Sequence, residues 1–204
     1  MTKKKTTLAF LILAVLPSIL ALAACNPLED KSKSSTFIVV ESVMGTDYTG
    51  KAASFLQSDV VSSTGTIYAD IASATVRASL LDPAPILKPS GYSDVILDRY
   101  IVSFSRSDGR SRQGIDVPYS FEGSLTQTVK VGATATFSFV LVREVAKMEP
   151  PLVGLATGIG EGVIEMTAKV EFYGHDLINN KVTATGYLTV FFANYADVTP
   201  APAI

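Results

Sequence analysis

The residues of this 204-residue chain whose types and spacing could do chemistry are few: one histidine, one cysteine, a cluster of arginines and a set of aromatics on a polar face. His175 lies in "YGHDL", and any Ser-His-Asp triad or histidine base must use it. Adjacent residues of an extended chain point to opposite faces, so Asp176 is badly placed to orient His175. A histidine packed at a turn is the preferred reading, and no catalytic residue is assigned. A zinc site needs several converging His, Cys or carboxylate ligands, which one His and one Cys do not supply. Asp176, Asn179 and Asn180 could offer oxygens to calcium from one loop, but an Asp-rich loop of the dedicated kind is missing and turn chemistry accounts for the same residues. The glycines of "GLATGIGEG" lack the Lys-Ser/Thr ending of a phosphate loop, so they read as loop flexibility. No metal and no cofactor is expected.

Two groups remain as a candidate binding surface. Arg106, Arg110 and Arg112 gather in "RSDGRSRQG", where three guanidinium groups could grip a carboxylate or a sulfated sugar. A solvated turn is the more ordinary explanation. Tyr173, Tyr187 and Phe191 share the otherwise polar parity of the last two strands, and aromatics on an exposed face can stack on sugars or meet a partner protein. Cover by the chain's own "MEPPLVGL" is the preferred reading, because it also accounts for that segment's apolar residues.

Cys25 is explained by what precedes it. Lys3, Lys4 and Lys5 lead into an uncharged apolar run from Leu8 to Ala24, the pattern of a secretory signal. The run is broken by Pro17 and Ser18 and is short for a membrane span, which needs roughly 20 apolar residues. Leu22-Ala23-Ala24-Cys25 resembles the lipobox of bacterial lipoproteins. That resemblance implies cleavage before Cys25, a diacylglyceryl thioether on its sulfur and an acyl group, such as palmitate, on its new amine. More than one acyl chain gives stable anchoring. Residues 1–24 are thus expected to be removed and 25–35 to form a polar tether holding a single domain, 36–199, off the membrane, with a disordered tail at 200–204. Asn26, where Asp favours inner-membrane retention in enterobacteria, points to the outer membrane.

A chain beginning at Cys25 has 180 residues, and since the leader carries three lysines and no acid its formal charge is −5. Nucleic-acid affinity comes from clustered Lys and Arg on phosphates, so nucleic acid and anionic headgroups are not leading partners.

The rest of the chain alternates. Ile164, Met166, Ala168, Val170 and Phe172 fall on one parity, and Val182, Ala184, Gly186, Leu188, Val190 and Phe192 repeat the pattern, each run predicting a strand with one buried face. A one-residue slip would turn every apolar side chain outward, so even positions must face even positions. Pairing Gly174 with Val182 sets Phe172 opposite Ala184 and Val170 opposite Gly186, with the turn at 177–179. Segments from Thr36, Ala74, Tyr100, Leu125 and Ala135 complete about seven strands, which predicts an all-β, antiparallel, immunoglobulin-like sandwich. Residues 143–162 carry Pro150-Pro151 and several glycines, and read as a long connection between sheets. The chain has no Trp and no Cys pair, unlike an antibody-type domain.

"TATFSFVLVREVAKMEPPL" and "VEFYGHDLINNKVTATGYLTVFF", behind a lipobox, are similar to a group of uncharacterised bacterial envelope lipoproteins with immunoglobulin-like sandwiches. The resemblance implies location and fold, and brings no activity or functional residue with it. The resulting expectation is a non-enzymatic binding or structural module, held on the membrane by its lipid and meeting an envelope protein. The alternative is a glycan or cell-wall binder; a hydrolase is disfavoured because no nucleophile and base assemble.

Overall fold

The computed structural model describes residues 33–82, 90–158 and 162–195. The leader, Cys25, most of the tether and the tail expected at 200–204 lie outside the described residues.

Among the described residues, nine strands form two sheets. The first holds β1 (Thr36–Thr46), β2 (Ala52–Ala53), β4 (Asp70–Leu80) and β7 (Thr134–Val142) in the order β2-β1-β4-β7. The second holds β3 (Phe55–Asp59), β5 (Val95–Ser105), β6 (Phe121–Val129), β8 (Val163–Asp176) and β9 (Lys181–Ala193) in the order β3-β9-β8-β5-β6. Seven of these are the strands expected from alternation; β2 and β3 are additions. All pairings are antiparallel except β3 with β9, which is parallel.

The β8–β9 hairpin adopts the register that parity requires, with Gly174 opposite Val182, Phe172 opposite Ala184 and Val170 opposite Gly186. Its turn places Asn179 at φ 68°, the left-handed region that Asn tolerates better than most residues. Elsewhere the inward set changes parity. In β5 both neighbours slip between Leu97 and Arg99, so Val95 and Leu97 face inward before the bulge while Tyr100, Val102 and Phe104 do so after it.

The sheets share one core. Phe137 and Phe139 of β7 each meet Phe172 of β8 edge-on at 5.5 Å between ring centroids, and Tyr100 of β5 meets Phe139 at 5.1 Å. Such edge-to-face pairs contribute about 0.5–1.5 kcal/mol each beyond the area they bury. Gly186 lets β1 lie close to β9, since a Cβ there would sit 2.7 Å from Val43 Cγ2. The connection from β7 to β8 does run between the sheets, but it contains two short helices, α1 (Glu144–Met148) and α2 (Val153–Ala156). Its Leu152 and Leu155 are buried in the shared core.

Strand direction gives the domain two ends. At one lie Ser34 to Thr36, the end of β4, the start of β5 and the β8–β9 turn. At the other lie the β5–β6 connection, α1 and the start of β8. The 11 residues of β5 alone separate the ends by roughly 33 Å at about 3.3 Å per residue.

Candidate functional site

The arginine turn follows β5 at the end far from Ser34. Asp108 takes hydrogen bonds from Arg110 Nε at 2.7 Å, Arg106 Nε at 3.1 Å and the Arg110 backbone N–H at 3.0 Å. Those donors, Arg110 foremost, hold the Asp108 carboxyl down to about 2. Arg112 Nε donates to Asp116 Oδ2 at 2.8 Å, and the pair lowers the carboxyl's pKa while raising that of the guanidinium. The three cations are therefore each matched to acids of their own turn. An incoming anion must compete with Asp108 and Asp116 for these guanidinium groups. Val117 is fully buried beneath it, and the loop lifts Ile115 and Tyr119 into solvent. Arg143, which opens the β7–β8 connection, stacks 4.6 Å over the ring of Phe121, the first residue of β6, so one long connection of this end begins beside the point where the other ends.

The aromatics of the second sheet stand on its outer face, as their parity requires, but they do not make one platform. Tyr187 is opposite Lys169 and Tyr173 is opposite Thr183, which puts four residues of strand, about 13 Å, between the two rings. The face of Tyr173 is occupied by the Arg99 guanidinium at 4.2 Å. Phe191 has Phe55 edge-on at 6.0 Å. The expected cover by "MEPPLVGL" does not form over Tyr187, which is 61% exposed, because the leucines of that segment turn into the core instead.

His175 and Asp176 diverge as adjacent strand residues must. Asp176 is buried and accepts from Asn180 Nδ2 at 2.8 Å, the Asn180 backbone N–H at 2.9 Å and the Ile178 N–H at 3.1 Å. Burial alone would raise its pKa; these donors and the Ser34 hydroxyl outweigh it and hold the carboxyl below its ordinary value. The oxygens of Asp176 are thereby spent on the turn. His175 Nδ1 lies 2.9 Å from the carbonyl of Asp176, and its Nε2 is 4.0 Å from Asp98 Oδ2. Among the described residues, no three His, Cys, Asp or Glu side chains converge in a metal-binding group.

Sequence reasoning missed a buried polar cluster. Lys147, in the middle of a surface-like connection, is only 1% exposed in its side chain. Its Nζ donates to Asp70 Oδ1 at 2.9 Å and to the backbone carbonyl of Asp59 at 2.7 Å. Ser58, also buried, donates to Asp70 Oδ2 at 2.6 Å. Burial pushes the Asp70 carboxyl up despite Lys147 and Ser58. The cluster joins β4 of the first sheet, β3 of the second and α1 at the far end. The sequence carries no local signal for it, since Ser58 lies on the inward side of β3, a strand that alternation does not reveal.

Comparison of the chain with protein-family models, curated proteins and solved structures finds no match.

Proposed function

We propose that this chain is a lipid-anchored bacterial envelope protein, an immunoglobulin-like β-sandwich that works without catalysis by presenting its far end to another macromolecule. The strand order supports the fold reading. β1, β4 and β7 correspond to strands A, B and E of an immunoglobulin domain, β5, β8 and β9 to C, F and G, and β6 to the added strand beside C. Anchoring rests on the basic start, the apolar run and Leu22 to Cys25, with Asn26 favouring the outer membrane.

The observation that carries the functional reading is the separation of the two ends. The chain reaches the domain at Ser34, nine residues after Cys25, whereas the longest connections are at the opposite end, where Ile115, Tyr119, Val145 and Met148 are exposed. A lipid on Cys25 would confine the domain to a membrane surface and raise its effective concentration toward anything else held there. The exposed Tyr187, with the Lys169–Glu171 pair opposite on β8, favours a glycan as the second reading.

Crosslinking in intact cells, followed by mass spectrometry of everything attached and of the peptide beginning at Cys25, tests this. The expected result is a discrete protein adduct at the far end together with diacylglycerol on Cys25. Glycan fragments attached beside Tyr187 would favour the wall-binding reading, and an uncleaved, unlipidated amino end would overturn the anchoring. A hydrolase activity abolished by His175→Ala would overturn the non-enzymatic reading.

A further inference from the structure

Four large apolar side chains stand in solvent at the end of the domain that the tether reaches: Leu81, Tyr92, Leu177 and Ile178, between 48% and 66% exposed. They come from three separate segments that hydrogen bonds sew to the first residues of the domain. Leu81 N–H donates to the Ser35 carbonyl at 2.8 Å, Thr36 Oγ1 to the Ser93 carbonyl at 2.9 Å, and Leu177 N–H to the Tyr92 carbonyl at 3.2 Å. The Ser35 and Ser93 hydroxyls meet at 3.2 Å. Ile178 is fixed by its N–H on buried Asp176, which the Ser34 hydroxyl also reaches. The four side chains are thus held out by a hydrogen-bonded scaffold rather than by a loose loop.

We infer that this end docks on the lipid bilayer, with Leu81, Tyr92, Leu177 and Ile178 entering the headgroup and acyl boundary. The inference rests on the proposed anchoring at Cys25. Eight residues, 26–33, separate the lipidated position from Ser34, and the nine residue steps from Cys25 to Ser34 span at most about 32 Å. The far end stands roughly 33 Å beyond, so when the domain stands upright on its tether the end bearing these four residues is the one that meets the membrane. Three aliphatic side chains with a tyrosine are a composition suited to the interface, where the ring is buried and the hydroxyl stays wet. Exposed Lys130 and Lys181 flank the patch, with stems long enough to lie on apolar surface while the ammonium stays in water. Acids oppose them at this end, where Asp82 is exposed and Asp94 accepts the Val131 N–H at 3.0 Å. Near-balanced charge makes apolar insertion, not attraction to anionic lipid, the source of binding. On this inference the patch faces the membrane and the opposite end faces outward.

The chain contains no tryptophan, so one indole reports on one place. The full lipidated protein carrying Tyr92→Trp, and separately Tyr119→Trp at the far end, is reconstituted into phosphatidylcholine vesicles containing bromine-labelled acyl chains. The indole in Tyr92→Trp is expected to be quenched at least about threefold more than that in Tyr119→Trp. Adding Leu177→Ser and Ile178→Ser should remove most of the difference while the protein still floats with the vesicles. Protein that floats with equal quenching at both sites would overturn the docking and leave the anchoring intact. Protein that neither floats nor carries lipid on Cys25 would overturn both. An indole in Tyr92→Trp shielded from aqueous iodide, in a concentration-dependent way and without lipid quenching, would show a second copy covering the patch and would also overturn the docking.

Discussion

Lys147→Met should be among the most damaging single substitutions in the domain. It leaves Asp70 with its Ser58 hydrogen bond but without its cation, and deprives the Asp59 carbonyl of its donor. Removing one partner of a buried ion pair costs about 3–5 kcal/mol. Asp70 keeps 17% of its side chain in solvent and can escape by taking a proton, so the lower end, about 3 kcal/mol at neutral pH, is expected. With a urea dependence of about 2 kcal/mol per molar, that moves the unfolding midpoint by roughly 1.5 M. The pH dependence supplies the sharper check. The folded-state pKa of Asp70 is already raised by burial, so between the unfolded value, 3.8, and that raised value the folded state binds more protons. This group therefore stabilises the fold progressively as pH falls through that window, and losing Lys147 extends the window upward. The deficit of Lys147→Met should shrink on acidification toward pH ~4, and adding Asp70→Asn should recover most of it at pH ~7 by removing the stranded charge. A loss under about 1 kcal/mol, or a double variant no better than the single one, would refute the argument that this cluster clasps the sheets.

Other substitutions probe the turns and the packing. Asp176→Ala removes an acceptor that serves Ile178, both donors of Asn180 and the Ser34 hydroxyl, and should cost about 1–3 kcal/mol in urea unfolding at pH ~7. Because the folded Asp176 carboxyl lies below its ordinary value, that stability is present above pH 3.8 and is lost as pH falls through the lowered value, so the variant should show a flatter acid limb. Gly186→Ala drives a Cβ to 2.7 Å from Val43 Cγ2 and 3.0 Å from Val40 Cγ1, an overpacking expected to cost about 1–3 kcal/mol and to be relieved by Val43→Ala. Asp108→Asn with Asp116→Asn releases the arginine turn from its own acids; the double variant should elute from a sulfated-polysaccharide column at higher salt than the wild type, and unchanged elution would show that the carboxylates do not hold the arginines back.

The strands that could be read from the sequence are those with an apolar inward face. β8 and β9 alternate without a bulge over their pairing, so parity alone set their register. β5 was readable only from Tyr100 onward, since the bulge at Asp98 reverses the parity of Val95 and Leu97. β3 was not readable at all. Of its inward residues, Leu56 is apolar and Ser58 is not, and a five-residue segment with one apolar anchor falls below what alternation can detect. What makes Ser58 acceptable inside is Asp70, 12 residues on, and Lys147, which no local pattern links to it. The candidate surface was only partly legible for the same reason. The parity of Tyr173, Tyr187 and Phe191 was readable, while the partners that take up two of the rings, Arg99 and Phe55, come from strands distant in sequence.

The two polar constructions stand at opposite ends of the domain. At the Ser34 end, Asp176 gathers Ser34, Ile178 and Asn180, so the first residues of the domain are hydrogen-bonded to the tip of the long hairpin. At the far end, Lys147 and Asp70 pin α1 and the edge strand β3 to β4 in the opposite sheet. Between them is a core of interlocked aromatics, the kind of close packing that makes protein interiors poorly compressible. If the tether end rests on a bilayer, rigidity at both ends keeps the outward connections at a fixed height and facing away from the membrane. A domain that merely swung on a flexible tether would gain nothing from clamping its far end with a buried charge pair, which is often no more stabilising than apolar residues of the same volume. Loosening the clasp with the neutral pair Lys147→Met and Asp70→Asn should therefore spare the fold and lower the yield of the far-end crosslink, whereas equal yield would show that the partner does not require a fixed far end.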